Sequence, residues 1–460
     1  MFVGREKEIK ILEKRVQSKG FEFGLVYGRR RIGKTRLLQE IVSKFDAIYY
    51  VANEMGLEYN LKQLSATITS YYNESFVFEN FDQVFQYLAK RSHEKRTIFI
   101  LDEFTYLMSS NKELLSVFQN AVDQHLLNSN LKMILSGSQV GMVEDAISYK
   151  KPLYGRTTFK MKLEPFDYYD AAKFYPNCTA TEKVCLYSVF GGVPFYTSRI
   201  DDSKSVKENI LDLIIEPGSI FEDEIAFFLS QEVRSVATYG KIMNAIASGA
   251  TKLSEISTKS GSTNTGTTSK YLDLLLSLGI VEKEFCFGES NKSKKTIYRI
   301  QDQLFRFHFS FIEKNKSKKV IMDPENFYNT MVQPHLEEYV SNEFENICRD
   351  FLKRKYENTI QEIGRYWFND AAKRQDIEID IVMKTNHQLH VYECKWTNSR
   401  IGMGIVNNLQ TKVDHFEGAQ LGFFSKKGYH SELSDKGYAL YQVDDLYNVS
   451  NNELEHNRES

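Results

Sequence analysis

The chain has 460 residues, 42% of them hydrophobic and 26% charged, with a formal net charge of −2 at pH 7. That length exceeds what a single hydrophobic core supports, so several domains are expected, and the composition excludes a disordered or fibrous chain. The near-neutral balance excludes a nucleic-acid surface built on a global positive field and leaves room only for local basic patches.

The five cysteines, Cys178, Cys185, Cys286, Cys348 and Cys394, include no Cys-x-x-Cys pair. They fit neither a zinc cluster nor a disulfide framework and point to a reducing compartment. The opening residues lack the apolar stretch of a secretory signal, and no run reaches the roughly 18 apolar residues of a membrane helix. A cytoplasmic protein with no membrane partner is expected.

In chain order, residues 21–27, 47–52, 97–101 and 131–135 are rich in β-branched and aromatic residues and read as buried strands. Residues 35–45 and 113–127 carry helical periodicity between them. Strands alternating with helices predict an α/β fold, a parallel sheet covered on both faces. Between the first strand and the first of these helices stand Gly28, Arg29, Arg30, Arg31, Ile32, Gly33, Lys34 and Thr35, with Arg36 next. They match the phosphate-binding pattern G-x-x-x-x-G-K-[ST], in the strand–loop–helix setting the chemistry needs. The glycines let backbone N–H groups wrap a phosphate, and the helix N-terminus favours negative charge. Lys34 is expected to span the β- and γ-phosphates of ATP, and Thr35 to ligand Mg²⁺.

The strand over 97–101 runs into Asp102 and Glu103. Two elements downstream of the phosphate loop, Asp102 is expected to hold Mg²⁺ through water and Glu103 to polarise the attacking water as general base. The next strand closes on Ser136 and Ser138, either of which suits a phosphate, a water or a turn.

Residues 166–215 read as helical, interrupted at Gly191-Gly192-Val193-Pro194. Three helices and a strand pair follow, the last two helices over 251–260 and 267–278 and the strands over 280–287 and 296–300. That is the outline of a winged helix. Polar residues early on 267–278 sit where bases or phosphates are touched, and Lys292, Lys294 and Lys295 would tip the wing. A packing module fits the same outline. The run KNKSKK over 314–319 reads as a linker.

The tail opens with a periodic helix over 334–356 that carries Glu345. Strands over 361–367, 377–383 and 389–394, a helix and a strand over 421–424 follow. Asp380 interrupts a β-branched strand, which costs folding energy unless the carboxylate works or reaches solvent. Glu393 and Lys395 lie two apart and share a face. If their strand pairs with that of Asp380, two carboxylates and an ammonium converge, a group able to hold Mg²⁺ and activate water against a phosphodiester. Gln410 and Lys412 on the following helix suit a phosphate contact, but read first as a solvated face.

Phe2-Val3-Gly4-Arg5-Glu6, the loop from Gly28 to Thr35, Leu101-Asp102-Glu103-Phe104, the Ser136-Gly137-Ser138 turn, Pro152-Leu153-Tyr154-Gly155-Arg156 and Gly191-Gly192-Val193-Pro194 occur in that order. Over roughly the first 215 residues this set resembles the archaeal-type ATPase family, in the AAA+/STAND branch of P-loop NTPases. The resemblance implies that Phe2, Val3, Gly4, Arg5 and the turn Gly191-Gly192-Val193-Pro194 line the adenine site and that Arg156 is a candidate arginine finger or sensor. The tail, over about 325–450, resembles the PD-(D/E)xK nuclease fold and, more narrowly, the domain of unknown function that follows the ATPase and winged helix in that family. By that resemblance Asp380 and Glu393 are metal ligands, Lys395 positions water or phosphate, and Glu345 supports the metal. The residue before the first acidic position is Ile379 where the pattern usually has proline.

The expected architecture is a P-loop ATPase core over 1–165, a helical lid over 166–215, a winged helix over 216–319 and a restriction-endonuclease-like α/β domain over 320–460. The expected function is an ATP-hydrolysing, oligomeric switch with Mg²⁺ as cofactor, coupled to a tail that acts on DNA. A STAND-like scaffold ATPase whose tail only recruits proteins is the competing expectation.

Overall fold

The computed structural model describes residues 2–111, 113–233, 235–262, 264–290, 293, 295–370, 375–413 and 416–448. The chain folds as two compact units, Met1–Pro165 and Phe166–Ser460. The lid, winged-helix and nuclease-like segments drawn from the sequence all fall inside the second.

The first unit is built on five strands: β1 (Glu22–Tyr27), β2 (Ile48–Val51), β3 (Ile98–Asp102), β4 (Lys132–Gly137) and β5 (Phe159–Lys162). They form one sheet in the order β2-β3-β4-β1-β5, and every pairing is parallel. β1, β3 and β4 are buried along their whole length, as a sheet covered on both faces requires. Side chains alternate between two cores. Val26, Ile98, Ile100 and Ile134 pack with Leu12, Val16, Leu37, Leu38 and Ile41 of helices Glu6–Gln17 and Lys34–Lys44. Leu25, Phe99, Leu101, Met133 and Leu135 pack with Leu64, Ile68, Val84, Leu88 and Phe118 of the helices on the opposite face. Because β1 lies between β4 and β5 while the chain returns at β2 on the far edge, the segments after β1, β3 and β4 open on one end of the sheet. Open α/β sheets bind ligands at such carboxyl ends.

In the second unit, helix Ala180–Phe190 starts on a capping box between Thr179 and Glu182 and stops at Gly191, whose φ is 66°. The Gly-Gly-Val-Pro turn is tied to the start of the unit, since Phe166 N–H donates to Gly192 O at 2.8 Å. Helices Val236–Ala247, Leu253–Lys259 and Thr265–Ser277 lead into an antiparallel hairpin of β6 (Val281–Phe285) and β7 (Thr296–Ile300), the expected order of three helices and a strand pair. Lys292 and Lys294 lie outside the described residues. The KNKSKK run is not an irregular linker: Lys316–Ile321 is helical, and Lys319 reaches Glu222 at 2.7 Å. Lysines in the last turn suit the helix dipole there.

A helix of 23 residues, Gln333–Lys355, then precedes a second sheet of β8 (Ile360–Asp370), β9 (Gln375–Thr385), β10 (Leu389–Lys395), β11 (Gln420–Ser425) and β12 (Ala439–Gln442). Its order is β12-β11-β10-β9-β8, antiparallel from β8 to β10 and parallel from β10 to β12. Phe344, Ile347 and Phe351 of the long helix belong to one core with Tyr392, Trp396 and Phe424. Val406 and Leu409 of helix Met403–Lys412 belong to the other with Ile379, Val391 and Phe423. Among the described residues, no helix is long and apolar enough to cross a membrane.

Gly192 tests this packing. A β-carbon there would sit 1.7 Å from the Phe166 carbonyl oxygen, a backbone atom that cannot swing away. Gly192→Ala is expected to destabilise the chain by roughly 1–3 kcal/mol, read as a lower melting temperature by circular dichroism. An unchanged melting temperature would contradict the contact.

Candidate functional site

The phosphate loop follows β1 directly. Gly28 is held against β5's continuation, where a β-carbon would come within 2.6 Å of Leu163 O. Arg31 and Gly33 take left-handed backbone, with φ of 69° and 91°, so the chain turns sharply into helix Lys34–Lys44. Lys34 is 4% exposed, and its ammonium donates to Gly28 O at 2.9 Å and Arg29 O at 3.1 Å. Ile32 and Arg29 are buried, Arg30 donates to the Tyr106 hydroxyl at 3.4 Å, and Thr35 and Arg36 are exposed. Arg5, itself at φ 66°, braces the loop: its guanidinium donates to Ile32 O at 3.4 Å and Glu164 O at 2.6 Å and pairs with Glu8. Gly4 is buried and Val3 half-buried beside it in the chain.

Asp102 ends β3 fully buried. Its Oδ2 accepts from Thr35 Oγ1 at 2.8 Å and from the Tyr49 hydroxyl at 2.7 Å, and its Oδ1 accepts from Glu103 N–H at 3.0 Å. Burial and the Asp102 carboxylate hold the Tyr49 phenol far above its ordinary pKa, so it stays a donor. Glu103 stands at φ 54°, a backbone strain of the kind found where a side chain must be aimed. Its carboxylate accepts from Ser138 N–H at 3.3 Å and from the Ser138 hydroxyl. Ser136 Oγ is buried with no hydrogen-bond partner, an orphaned polar atom at the same end of the sheet.

The structure thus brings together Lys34, Thr35, Asp102 and Glu103, and gives Ser138 a partner in Glu103. Arg156 Nε and Nη2 engage Asp123 at 2.9 and 2.7 Å, and its Nη1 donates to Pro152 O at 3.0 Å. The planar guanidinium is matched on its fork by one carboxylate. Pro194 opens helix Pro194–Thr197 in the second unit. The spacing of the sequence carried no signal for Tyr49 or Asp123; both roles arise from contacts between residues 53 and 33 positions apart.

The acidic group of the tail is arranged around a bulge. Gly364 pairs with Val382 and Tyr366 with Ile379, so Arg365 faces both Asp380 and Ile381. Asp380 Oδ2 accepts from Cys394 N–H at 2.7 Å. Glu393 is buried and paired with Lys395 at 2.6 Å, and Lys412 reaches its other oxygen at 3.4 Å, so Lys412 turns toward the group and is no solvated face. Glu345 is paired with Arg365, which also meets Glu378 at 3.2 Å. The expected set of three ligands, Asp380, Glu393 and Glu345, is therefore not assembled. Each glutamate has a cation of its own, and among the described residues no group of three or more His, Cys, Asp or Glu side chains is placed to hold a metal ion.

Burial, with the carboxylates of Glu345 and Glu393 nearby, pushes Asp380 up from 3.8 to about 7. The unfolded carboxyl loses its proton near 3.8 and the folded one keeps it to about 7, so stability falls as pH rises between those values. Asp380→Asn keeps an acceptor for Cys394 N–H and removes that penalty. In EDTA it is expected to melt a few degrees above wild type at about pH 8, the gap closing toward about pH 5. A lower melting temperature at the higher pH would contradict the buried-carboxylate reading.

Comparison with known proteins agrees with this layout. Residues 2–200 match a family model described as an ATPase domain predominantly from Archaea, and residues 308–408 match one described as archaeal and bacterial proteins of unknown function. The uncharacterized protein MJECL04 of Methanocaldococcus jannaschii is 32% identical over 405 residues, which span 86% of this chain and 88% of that protein. The uncharacterized protein MJ0424 of the same organism is 32% identical over 83 residues, 17% of this chain and 80% of that one. The Walker-type ATPase PABY2304 of Pyrococcus abyssi shares the fold, with a TM-score of 0.52 at 23% identity over 67% of this chain and 96% of its own. The chain belongs to the archaeal-type ATPase family and carries that family's P-loop ATPase domain ahead of a C-terminal domain of unknown function.

Proposed function

We propose that the chain binds and hydrolyses ATP at the carboxyl end of the first sheet. The arrangement that carries this reading is the buried Asp102, bonded to Thr35 of the phosphate loop and followed by a strained Glu103. The donor set fits a triphosphate with its ion: an ammonium lodged on loop carbonyls, a hydroxyl already turned to a carboxylate, and an unpartnered buried Ser136 hydroxyl nearby. Thr35 and Asp102 would hold Mg²⁺, which when bound neutralises charge on the β- and γ-phosphate oxygens. Lys34 exchanges its loop carbonyls for phosphate oxygens. Glu103, oriented by both donors of Ser138, accepts the proton of the attacking water. Val3, Gly4 and Arg5 shape the base side of the loop through Arg5's hold on Ile32 and Glu164.

The tail is proposed to act on DNA through Asp380, Glu393 and Lys395. Mg²⁺ is commonly held by one or two carboxylates completed by substrate phosphates, so two carboxylates suffice where a third ligand comes from the nucleic acid. The exposed start of helix Thr265–Ser277, with Thr265, Thr267 and Lys270, favours a DNA contact there. Among the described residues of the hairpin turn, Lys295 is paired with Glu289 at 2.8 Å and Phe287 N–H bonds Arg365 O at 2.8 Å. A scaffold role without phosphodiester chemistry is the competing reading.

Lys34→Ala is expected to lose ATP binding in calorimetry, while Glu103→Gln binds ATP and releases phosphate at least about 100-fold more slowly. Wild-type turnover in Glu103→Gln would remove it as the base. For the tail, cleavage of plasmid DNA with Mg²⁺ is expected to vanish in Asp380→Ala and Lys395→Ala. Equal cleavage in those variants, or none in wild type, would leave the scaffold reading standing.

A further inference from the structure

Of the three donors to Asp102, Tyr49 lies neither in the phosphate loop nor in the strand end that carries Asp102 and Glu103. It sits on β2, paired through Ile100 with β3, and its hydroxyl crosses to Asp102 Oδ2 at 2.7 Å. The same oxygen takes the Thr35 hydroxyl at 2.8 Å, and the other oxygen takes Glu103 N–H at 3.0 Å. Thr35 lies at the head of the phosphate loop's helix, and the Glu103 N–H is the next peptide along the chain. Tyr49 belongs to the sheet. It is therefore the donor that ties the carboxylate to the neighbouring strand. Burial of a tyrosine hydroxyl demands some acceptor, and Tyr50 beside it finds an uncharged one, Asn60 Oδ1 at 2.9 Å. Tyr49 is aimed instead at the acid on the opposite face of the strand.

We propose that Tyr49 is a positioning residue for the nucleotide-bound metal ion, holding Asp102 through its hydroxyl in the orientation in which the carboxylate meets the ion. The proposal rests on the ATPase reading above. A donor to a metal-binding carboxylate fixes its rotamer and tunes its basicity, and loss of such a partner typically costs 10–100-fold in metal affinity or activity. With Tyr49 absent, Asp102 keeps Thr35 and Glu103 N–H but its carboxylate loses the donor from the neighbouring strand.

The test is Mn²⁺ binding to the full chain in saturating ADP, followed by electron paramagnetic resonance, for wild type and Tyr49→Phe. The expected result is Mn²⁺ affinity weakened about 10-fold or more in Tyr49→Phe, with metal-free ADP affinity unchanged. Thermal melting without nucleotide monitors the fold. Should Tyr49→Phe not fold, Tyr49→His, which keeps a ring donor on a shorter reach, is expected to bind Mn²⁺ more weakly than wild type in the same assay. Wild-type Mn²⁺ affinity in Tyr49→Phe, or in Tyr49→His if that is the variant that folds, would overturn the proposal. A wild-type chain that binds neither ADP nor Mn²⁺ would instead overturn the ATPase reading beneath it, and the two failures are thereby told apart.

Discussion

A carboxylate buried at the end of a parallel strand is the constraint on which the first unit turns. Asp102 is fully buried, and an unsatisfied buried charge is among the most expensive groups a fold can hold. The sheet answers with three donors from three segments: the helix after β1, strand β2, and the residue after β3. For those donors to arrive together, the ends of β1, β2 and β3 must lie level. That in turn needs the register in which Tyr49 pairs with Ile100 and Val51 with Asp102. The apolar faces of β1, β3 and β4 hold that register from both sides, so the packing of Ile98 and Phe99 into opposite cores bears directly on the geometry of the site.

Much of this was legible in the sequence because it is local. The phosphate loop is a contiguous pattern, and β1, β3 and β4 announce themselves as unbroken apolar runs, the signature of strands covered on both faces. β5 gives only a weak signal in the sequence, four residues of alternating burial at a sheet edge. The partners of the site residues were illegible for a different reason. Asp123 for Arg156, Arg365 for Glu345 and Tyr49 for Asp102 are chosen by the tertiary fold, and nothing in their own neighbourhood marks them. The bulge in β9 also defeats periodicity. Two-residue alternation puts Ile379 and Ile381 on one face, whereas the extra residue opposite Arg365 sends Ile379 to the core with Val391 and Ile381 to the core with Tyr392.

The second unit shows how ionic groups join segments that the sequence suggests are separate. Glu284 of the hairpin is buried between Arg349 of the long helix at 2.6 Å and Arg299 of β7 at 3.3 Å. Arg306 meets Glu343 at 2.7 Å and lies 4.5 Å from the ring centre of Tyr339. Removing one partner of such pairs strands the other charge, so they specify which hairpin packs on which helix more than they add net stability. Together with the bond from Phe287 to Arg365, they lay the chain at Phe287 along the edge of β8, where an open strand would otherwise invite foreign pairing. The hairpin and the acidic group of the tail thereby share Arg365 as a neighbour.

The central claim, a nucleotide site organised by Asp102, is tested most directly by titrating the purified full-length chain with ATP in a calorimeter, once with Mg²⁺ and once with EDTA. A saturable single site per chain, weakened when the ion is removed, is the predicted result. No heat of binding under either condition, from a chain shown to be folded, would contradict it.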